Sequence, residues 1–382
     1  MHSRHAIFDY HRSLLADQER TEAFAKAIRE TVKPGQVVVD LGSGTGILSY
    51  FACRAGARRV YSIERGEVIE VARALAAANG FSDRVTFVEG VSNGIVLPER
   101  GDVLVSETIG NGGLEENILG HVVDARERLL AAGAPIVPRK LEVLTAAVHF
   151  PERYAKLIEI WDRIHDIDLR AVRAWAAQQS YPVTLEPSEL CSSVETVASI
   201  DLGTVSAPSV AGEVNFDFQA QTIVHGFGVW FRAELSPGNV LSNAPPRRTP
   251  SWSHLFLPLT APLHVGGSSR VRLAVSTFDG LVWRWRGDVS SSRGGEPGQH
   301  FDQSTFTGFP WKRSRMAGIV DSLVPEPSPD RVAAARFVIE RLGDGQTIEA
   351  IAEATALAFP GVFSTVWSAK EFARKFARLC GA

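Results

Sequence analysis

Cysteine is scarce in this sequence: Cys53, Cys191 and Cys380 are the only three in 382 residues. They are too few and too scattered for a disulfide framework or a metal site. Long apolar runs are also missing. None approaches the ~18 residues that span a bilayer, and the N-terminus lacks a signal-peptide core. Nor does charge of one sign dominate. A formal net charge of −3 argues against a general nucleic-acid or membrane-surface binder. These absences point to a cytoplasmic protein with no metal, no membrane and no nucleic-acid partner. Hydrophobic content of 45% and charged content of 22% are ordinary for a globular chain. The length suits two domains and a small third.

The most informative stretch runs from Val37 to Gly46. Val37, Val38 and Val39 form an apolar, β-branched run, as expected of a strand buried on both faces of a parallel sheet. Gly42, Gly44 and Gly46 follow, giving a tight turn where backbone can lie against a ligand. The segment from Leu48 to Ala55 reads as a helix whose N-terminus faces that turn. A second strand, Val60 to Ile63, ends in Glu64, where a ribose acceptor is expected in a Rossmann-like unit. The glycine spacing is G-x-G-x-G, with Asp40 two residues before it. That pattern favours a nucleoside with an amino-acid tail over a dinucleotide.

Residues 8–30 carry one helical pattern, with Asp17 and Arg20 on one face. As a surface ion pair they would be worth little; as a ligand grip, Arg20 would hold a carboxylate with two prongs. A third strand is expected at Val85–Val88, with the loop from Gly90 to Asn93 passing a bound base. A fourth, Asp102–Ser106, delivers Glu107 to the C-terminal edge of the sheet. The loop that follows holds Glu107, Glu115 and Glu116. Glu115 reads as a cap or dipole partner of the helix expected at 117–130. Two carboxylates facing each other there would clamp a planar cation such as a guanidinium.

Tyr154 to Trp175 reads as an amphipathic helix. Beyond Pro182 the pattern alternates, as in Phe227, Val229 and Phe231 or Val271, Leu273 and Val275. Antiparallel strands in a barrel or sandwich follow, with a flexible connection over 287–300. Three short helices close the chain, suggesting a helix-turn-helix or winged-helix module.

Taken together, residues 8–290 resemble the protein arginine N-methyltransferases. The segment from His11 to Thr21 resembles that family's cofactor-capping helix. Asp40 to Gly46 with Glu64 is similar to its S-adenosylmethionine motif. Glu107 and Glu116, nine residues apart, match its double-glutamate loop, and Leu241 to Trp252 approaches its Thr-His-Trp loop.

The resemblance implies a Rossmann-like class I methyltransferase domain (1–145) and an antiparallel β-barrel domain (146–300); the α-helical tail (301–382) lies outside it and by its helix pattern resembles winged-helix modules that bind leader peptides, or else caps the barrel. It also implies S-adenosyl-L-methionine as cofactor, a peptide or protein substrate, and a homodimer formed through an arm at about 154–180. Arg20 would bind the cofactor carboxylate beside Asp40, Gly42 and Gly44. Glu64 would bind the ribose, Ser92 and Asn93 would lie near the adenine, and His11 would line the pocket. Glu107, facing the cofactor, and Glu116 would hold the guanidinium, with Asp17 behind the site.

Two departures stand out. Pro250-Ser251-Trp252 replaces Thr-His-Trp, so Trp252 remains while the histidine that would pair with Asp17 is missing. His254 is a candidate substitute, although two residues along a strand move it ~7 Å. Asn111-Gly112-Gly113 stands where aromatics are usual, implying a wider or differently shaped acceptor pocket. Alternative readings are methylation of histidine or of another nitrogen or oxygen nucleophile, and a cofactor-binding member without turnover.

Overall fold

The computed structural model describes residues 7–247, 249–278, 282–291, 298–308, 329–363 and 365–381. Two helices open it, α1 (Ile7–Ala16) and α2 (Gln18–Thr31). The single helix expected over 8–30 is broken at Asp17, whose side chain accepts the backbone N–H of Arg20 at 3.1 Å and so caps α2. α2 buries Phe24, Ala27 and Ile28, whereas α1 has no fully buried residue.

Strands β1 (Val37–Leu41), β2 (Arg59–Glu64), β3 (Val85–Glu89), β4 (Val103–Ser106) and β5 (Ile136–Val137) form a parallel sheet in the order β3-β2-β1-β4-β5. Every residue of β1 is buried, as the valine run requires of a central strand covered on both faces. α3 (Ile47–Arg54), α4 (Ile69–Ala78) and α5 (Ile118–Arg128) connect the strands. Strand order reverses between β1 and β4, so their C-terminal ends open a crevice.

The chain leaves this sheet earlier than the expected boundary at 145, because β6 (Lys140–Val148) already belongs to the second one. That antiparallel sheet runs β10-β6-β12-β14-β9, with β13 on β12. Its members are β9 (Tyr181–Val183), β10 (Glu195–Asp201), β12 (Thr222–Ser236), β13 (Asn239–Ser242) and β14 (His254–Val265). A third sheet orders β11 (Val210–Phe218), β15 (Ser269–Phe278), β16 (Val282–Ser291) and β17 (His300–Ser304) as β11-β15-β16-β17. The period-two residues Phe227, Val229, Phe231, Leu273, Val275 and Trp285 all turn inward, into one core continuous with that of the first domain. The connection expected at 287–300 is strand at both ends; residues 292–297 lie outside the described residues.

The helix expected over 154–175 is interrupted. α6 (Pro151–Leu157) and α7 (Arg170–Ala176) flank a small hairpin, β7 (Arg163–Ile164) and β8 (Ile167–Asp168). His165 turns it with φ 52°, and Asp168 accepts the N–H of Arg170 at 3.0 Å, starting α7. At the C-terminus, α8 (Pro329–Gly343), α9 (Ile348–Ala358) and α10 (Val366–Gly381) share a cluster with Phe278 and Val282 of the barrel. Thr347 caps α9, accepting the N–H of Ala350 at 3.2 Å. No strand follows α10 among the described residues. The contact with Phe278 and Val282 fits a cap packed on the barrel.

Candidate active site

The crevice at the ends of β1, β2 and β4 gathers the residues singled out from the sequence. After β1 the chain turns through Gly42 (φ 74°) and Gly44 (φ 52°), conformations that suit residues lacking a Cβ. A Cβ on Gly42 would stand 2.8 Å from Thr108 Cγ2, and one on Gly44 would stand 3.1 Å from His11 Cε1. α1 therefore lies directly over the glycine turn. Glu64, ending β2, accepts the N–H of Gly44 at 3.0 Å and of Gly66 at 2.7 Å. These bonds fix its carboxylate at the rim and leave lone pairs for a ligand's hydroxyls.

Asp40 sits behind the turn. It is fully buried and accepts the Ser49 hydroxyl at 2.6 Å, so it ties the turn to α3 instead of facing a ligand. Burial raises its pKa to about 7 against the opposing pull of Ser49. Ser92 is buried, and its carbonyl accepts Arg128 at 2.7 Å, while Asn93 is exposed. Gly90 N–H donates to the Glu64 carbonyl at 3.0 Å, holding this loop against the end of β2.

Glu107 leaves β4 and meets Arg20, whose Nε donates at 3.0 Å and whose Nη2 also pairs with the same oxygen. Both side chains are nearly buried. The Arg20 guanidinium also lies over the Trp252 ring at 5.8 Å. Arg20 thus ties α2 to the end of β4 through Glu107. Glu116 stays open to water although protein groups surround it, as befits a side chain lining a cleft. Its pKa is raised to about 7, first by desolvation and then by Glu107 and Glu115. Tyr10 of α1 feels the same charges. Desolvation, then Glu116 and Glu107, push its pKa up to about 12. Sequence reasoning missed Tyr10, which adjoins His11 edge-on at 5.2 Å. Burial lowers the His11 pKa, while Glu64 opposes that effect.

The barrel grips the glutamate loop from the other side. Trp252 Nε1 donates to the Ile109 carbonyl at 2.7 Å. Asn243 donates to the carbonyls of Asn111 and Ser253 at 2.8 and 2.7 Å, and Asn111 Oδ1 accepts Ser253 N–H at 2.8 Å. Asn243 was not singled out from the sequence; its place just after Leu241-Ser242 was the available clue.

His254 does not replace the missing histidine. It is buried in the barrel, accepts the N–H of Leu185 on Nδ1 at 2.8 Å and packs edge-on against Trp230. Burial lowers its pKa. The strand alternation that turns Ser253 toward the loop turns His254 away. From the barrel, Arg247 supplies the charge near Asp17 and pairs with Glu19. The space beside Gly112 is filled by the protein itself: a Cβ there would stand 2.8 Å from Glu115 Oε1 and 3.2 Å from Trp283.

Residues 142–291 match the arginine methyltransferase oligomerization subdomain, and residues 17–123 match the ribosomal protein L11 methyltransferase family. Over these stretches the chain is similar to protein arginine methyltransferases. A probable protein arginine N-methyltransferase 6 of Arabidopsis thaliana is 34% identical over 238 residues, or 59% of this chain and 54% of that protein. Protein arginine N-methyltransferase 1 of Dictyostelium discoideum is 28% identical over 258 residues, or 65% and 76%. The chain thus spans about half the length of the first relative and three quarters of the second.

Among solved structures, the Trypanosoma brucei PRMT1 enzyme–prozyme heterotetrameric complex with AdoHcy is similar at a TM-score of 0.70 and 27% identity, covering 77% of this chain and 96% of that one. Arabidopsis thaliana protein arginine methyltransferase 10, at 21% identity and a TM-score of 0.66, shares the fold over 78% of this chain and 99% of that one. In this chain the glycine turn, the Glu64 carboxylate and the Arg20 cation form a set suited to a nucleoside, its hydroxyls and a carboxylate.

Proposed function

We propose that this chain transfers a methyl group from S-adenosyl-L-methionine to a guanidinium nitrogen of an arginine in a peptide or protein. One observation carries the reading. Glu116 faces the cleft unspent, in the field of a Glu107 already fixed by Arg20. Gly42, Gly44, Glu64 and Arg20 would hold the cofactor, which supplies an electrophilic methyl carbon on a sulfonium.

The chain's own groups do the rest. Glu107 and Glu116 accept N–H bonds from the guanidinium, fix its plane and draw its charge to the nitrogens they bind. The remaining nitrogen keeps the electron density for attack. The bound cofactor would supply the methyl group and retain the S–C electron pair, and the attacking nitrogen would have to lose a proton. Glu116, with a pKa near 7 and open to water, is suited to accept it and release it to solvent.

We further propose a homodimer. The arm exposes Ile160, Ile164, Ile167 and Trp175, apolar groups that a second copy would cover.

The test is incubation with methyl-labelled cofactor and an arginine-rich peptide mixture. Label on arginine is expected, and Glu116→Gln should nearly abolish it. Label on histidine or on an oxygen would overturn the acceptor assignment. Cofactor binding without turnover would overturn the enzyme reading.

A further inference from the structure

The glutamate loop has two adjacent carboxylates, and the structure gives them different work. Glu115 folds back onto its own loop. Its Oε1 accepts Gly112 N–H at 2.8 Å, and its Oε2 accepts Gly112 N–H and Leu114 N–H at 3.1 Å each. No cation pairs with it among the described residues. The slot it occupies is walled by glycine: a Cβ on Gly110 would collide with its carboxylate, and one on Gly112 would stand 2.8 Å from Oε1. Glu115 therefore does not cap α5, and no side-chain cap bond is made at the start of that helix. Asn117, at φ 60°, is the residue that precedes α5. The Asn-Gly-Gly departure thereby gains a physical reason, because aromatic side chains at Gly112 would leave no slot.

We infer that Glu115 is a positioning residue: by tying the amides of Gly112 and Leu114 it sets the loop that aims Glu116 into the cleft, and it places a second negative charge beside Glu116. This deepens the proposed function and rests on reading the cleft as the acceptor site.

Five groups face Glu116. Tyr10 comes from α1, Arg20 from α2, Arg65 follows β2, and Glu107 and Glu115 lie on the loop. Arg20 and Arg65 favour its charged form, whereas Glu107 and Glu115 oppose it. Neutralising Glu115 removes one opposing charge. It also halves the acceptors offered to the loop amides, since an amide has one oxygen and its NH2 would face donors.

Glu115→Gln and Glu115→Asp separate the two effects. In the cofactor-free protein, carbon-13 carboxyl signals are followed with pH, Glu116 being assigned by its loss in Glu116→Gln. The Glu116 midpoint should move down in Glu115→Gln. In Glu115→Asp, which keeps the charge but shortens the reach, it should stay close to wild type.

Peptide methylation should fall about 100-fold in kcat/KM for both variants, a cost typical of a misplaced reacting group. Only Glu115→Gln should also shift its acid limb to lower pH. An unmoved midpoint together with superimposable pH profiles would overturn the inference. If Glu115→Gln fails to fold, Gly112→Ala tests the tie from the other side, and wild-type kcat/KM there would overturn it. The titration needs no methyl acceptor, so its outcome stands apart from whether arginine is the substrate.

Discussion

Replacing Trp252 with Phe removes one hydrogen bond between the barrel and the glutamate loop while keeping an aromatic ring. The bond lost is Nε1–H to the Ile109 carbonyl, 2.7 Å long and shielded from water. A buried carbonyl stripped of its donor costs about 1–3 kcal/mol. The smaller ring adds about 1 kcal/mol of lost packing, and edge-on contact with Phe231, now at 5.0 Å, is largely kept. The penalty appears as unfolding free energy if the loop stays in place, or as lost transition-state stabilisation if the loop shifts and carries Glu107 with it. Ile109 lies two residues from Glu107 and donates its own N–H to that carboxylate at 3.3 Å, so the second outcome should dominate.

At about 1.4 kcal/mol per decade, a cost of 2–3 kcal/mol corresponds to a loss of roughly 30- to 140-fold in kcat/KM. Steady-state methylation of an arginine peptide measures that loss, and a thermal melt of the same sample measures the remainder. A variant within twofold of wild type in kcat/KM and unchanged in melting temperature would refute the claim that the barrel sets the loop.

The pH dependence has a defined sign. The pKa of Glu116 is raised from 4.5 to about 7, and its charged form holds the guanidinium. The kcat/KM should therefore rise about tenfold per pH unit below 7 and level off above it; a flat profile between pH 6 and 9 would contradict this. A folded-state pKa above the unfolded one means that stability from this group is present below 4.5 and lost as pH rises through 7. Glu116→Gln should accordingly raise the melting temperature more at pH 8 than at pH 4.5. On the arm, Ile164→Ser combined with Ile167→Ser should convert the dimer to monomer in sedimentation experiments, and an unaltered mass would rule out this face as the contact.

Where pattern is local, the sequence was readable. The valine run at 37–39 became a fully buried central strand, and period-two alternation became the barrel interior, because each reports the burial of its own side chains. Breaks were harder to see. Asp17 has polar neighbours like any exposed helical residue, and its capping bond, not its type, divides α1 from α2. The 154–175 stretch kept helical spacing of apolar residues even though a two-residue turn at His165 interrupts it. Contacts between residues far apart in the chain were least legible. Nothing near Ser253 announces that Asn111 will bond it, and nothing near His254 announces that its ring will meet Leu185 N–H. The division of labour between Glu115 and Glu116 likewise depends on a folded loop that spacing alone cannot describe.

The joint at Asp17 has a kinetic consequence. α1 covers the glycine turn yet buries none of its ten residues fully, so it is held more loosely than α2 and opens at lower cost. On the proposed function, a spent nucleoside beneath His11 would leave only when that cover lifts. An acceptor that stayed on Glu116 through the exchange would receive a second methyl group, and one that departed with each opening would receive one per visit. The hinge between two short helices, well away from the reacting atoms, would then govern how many methyl groups each arginine carries.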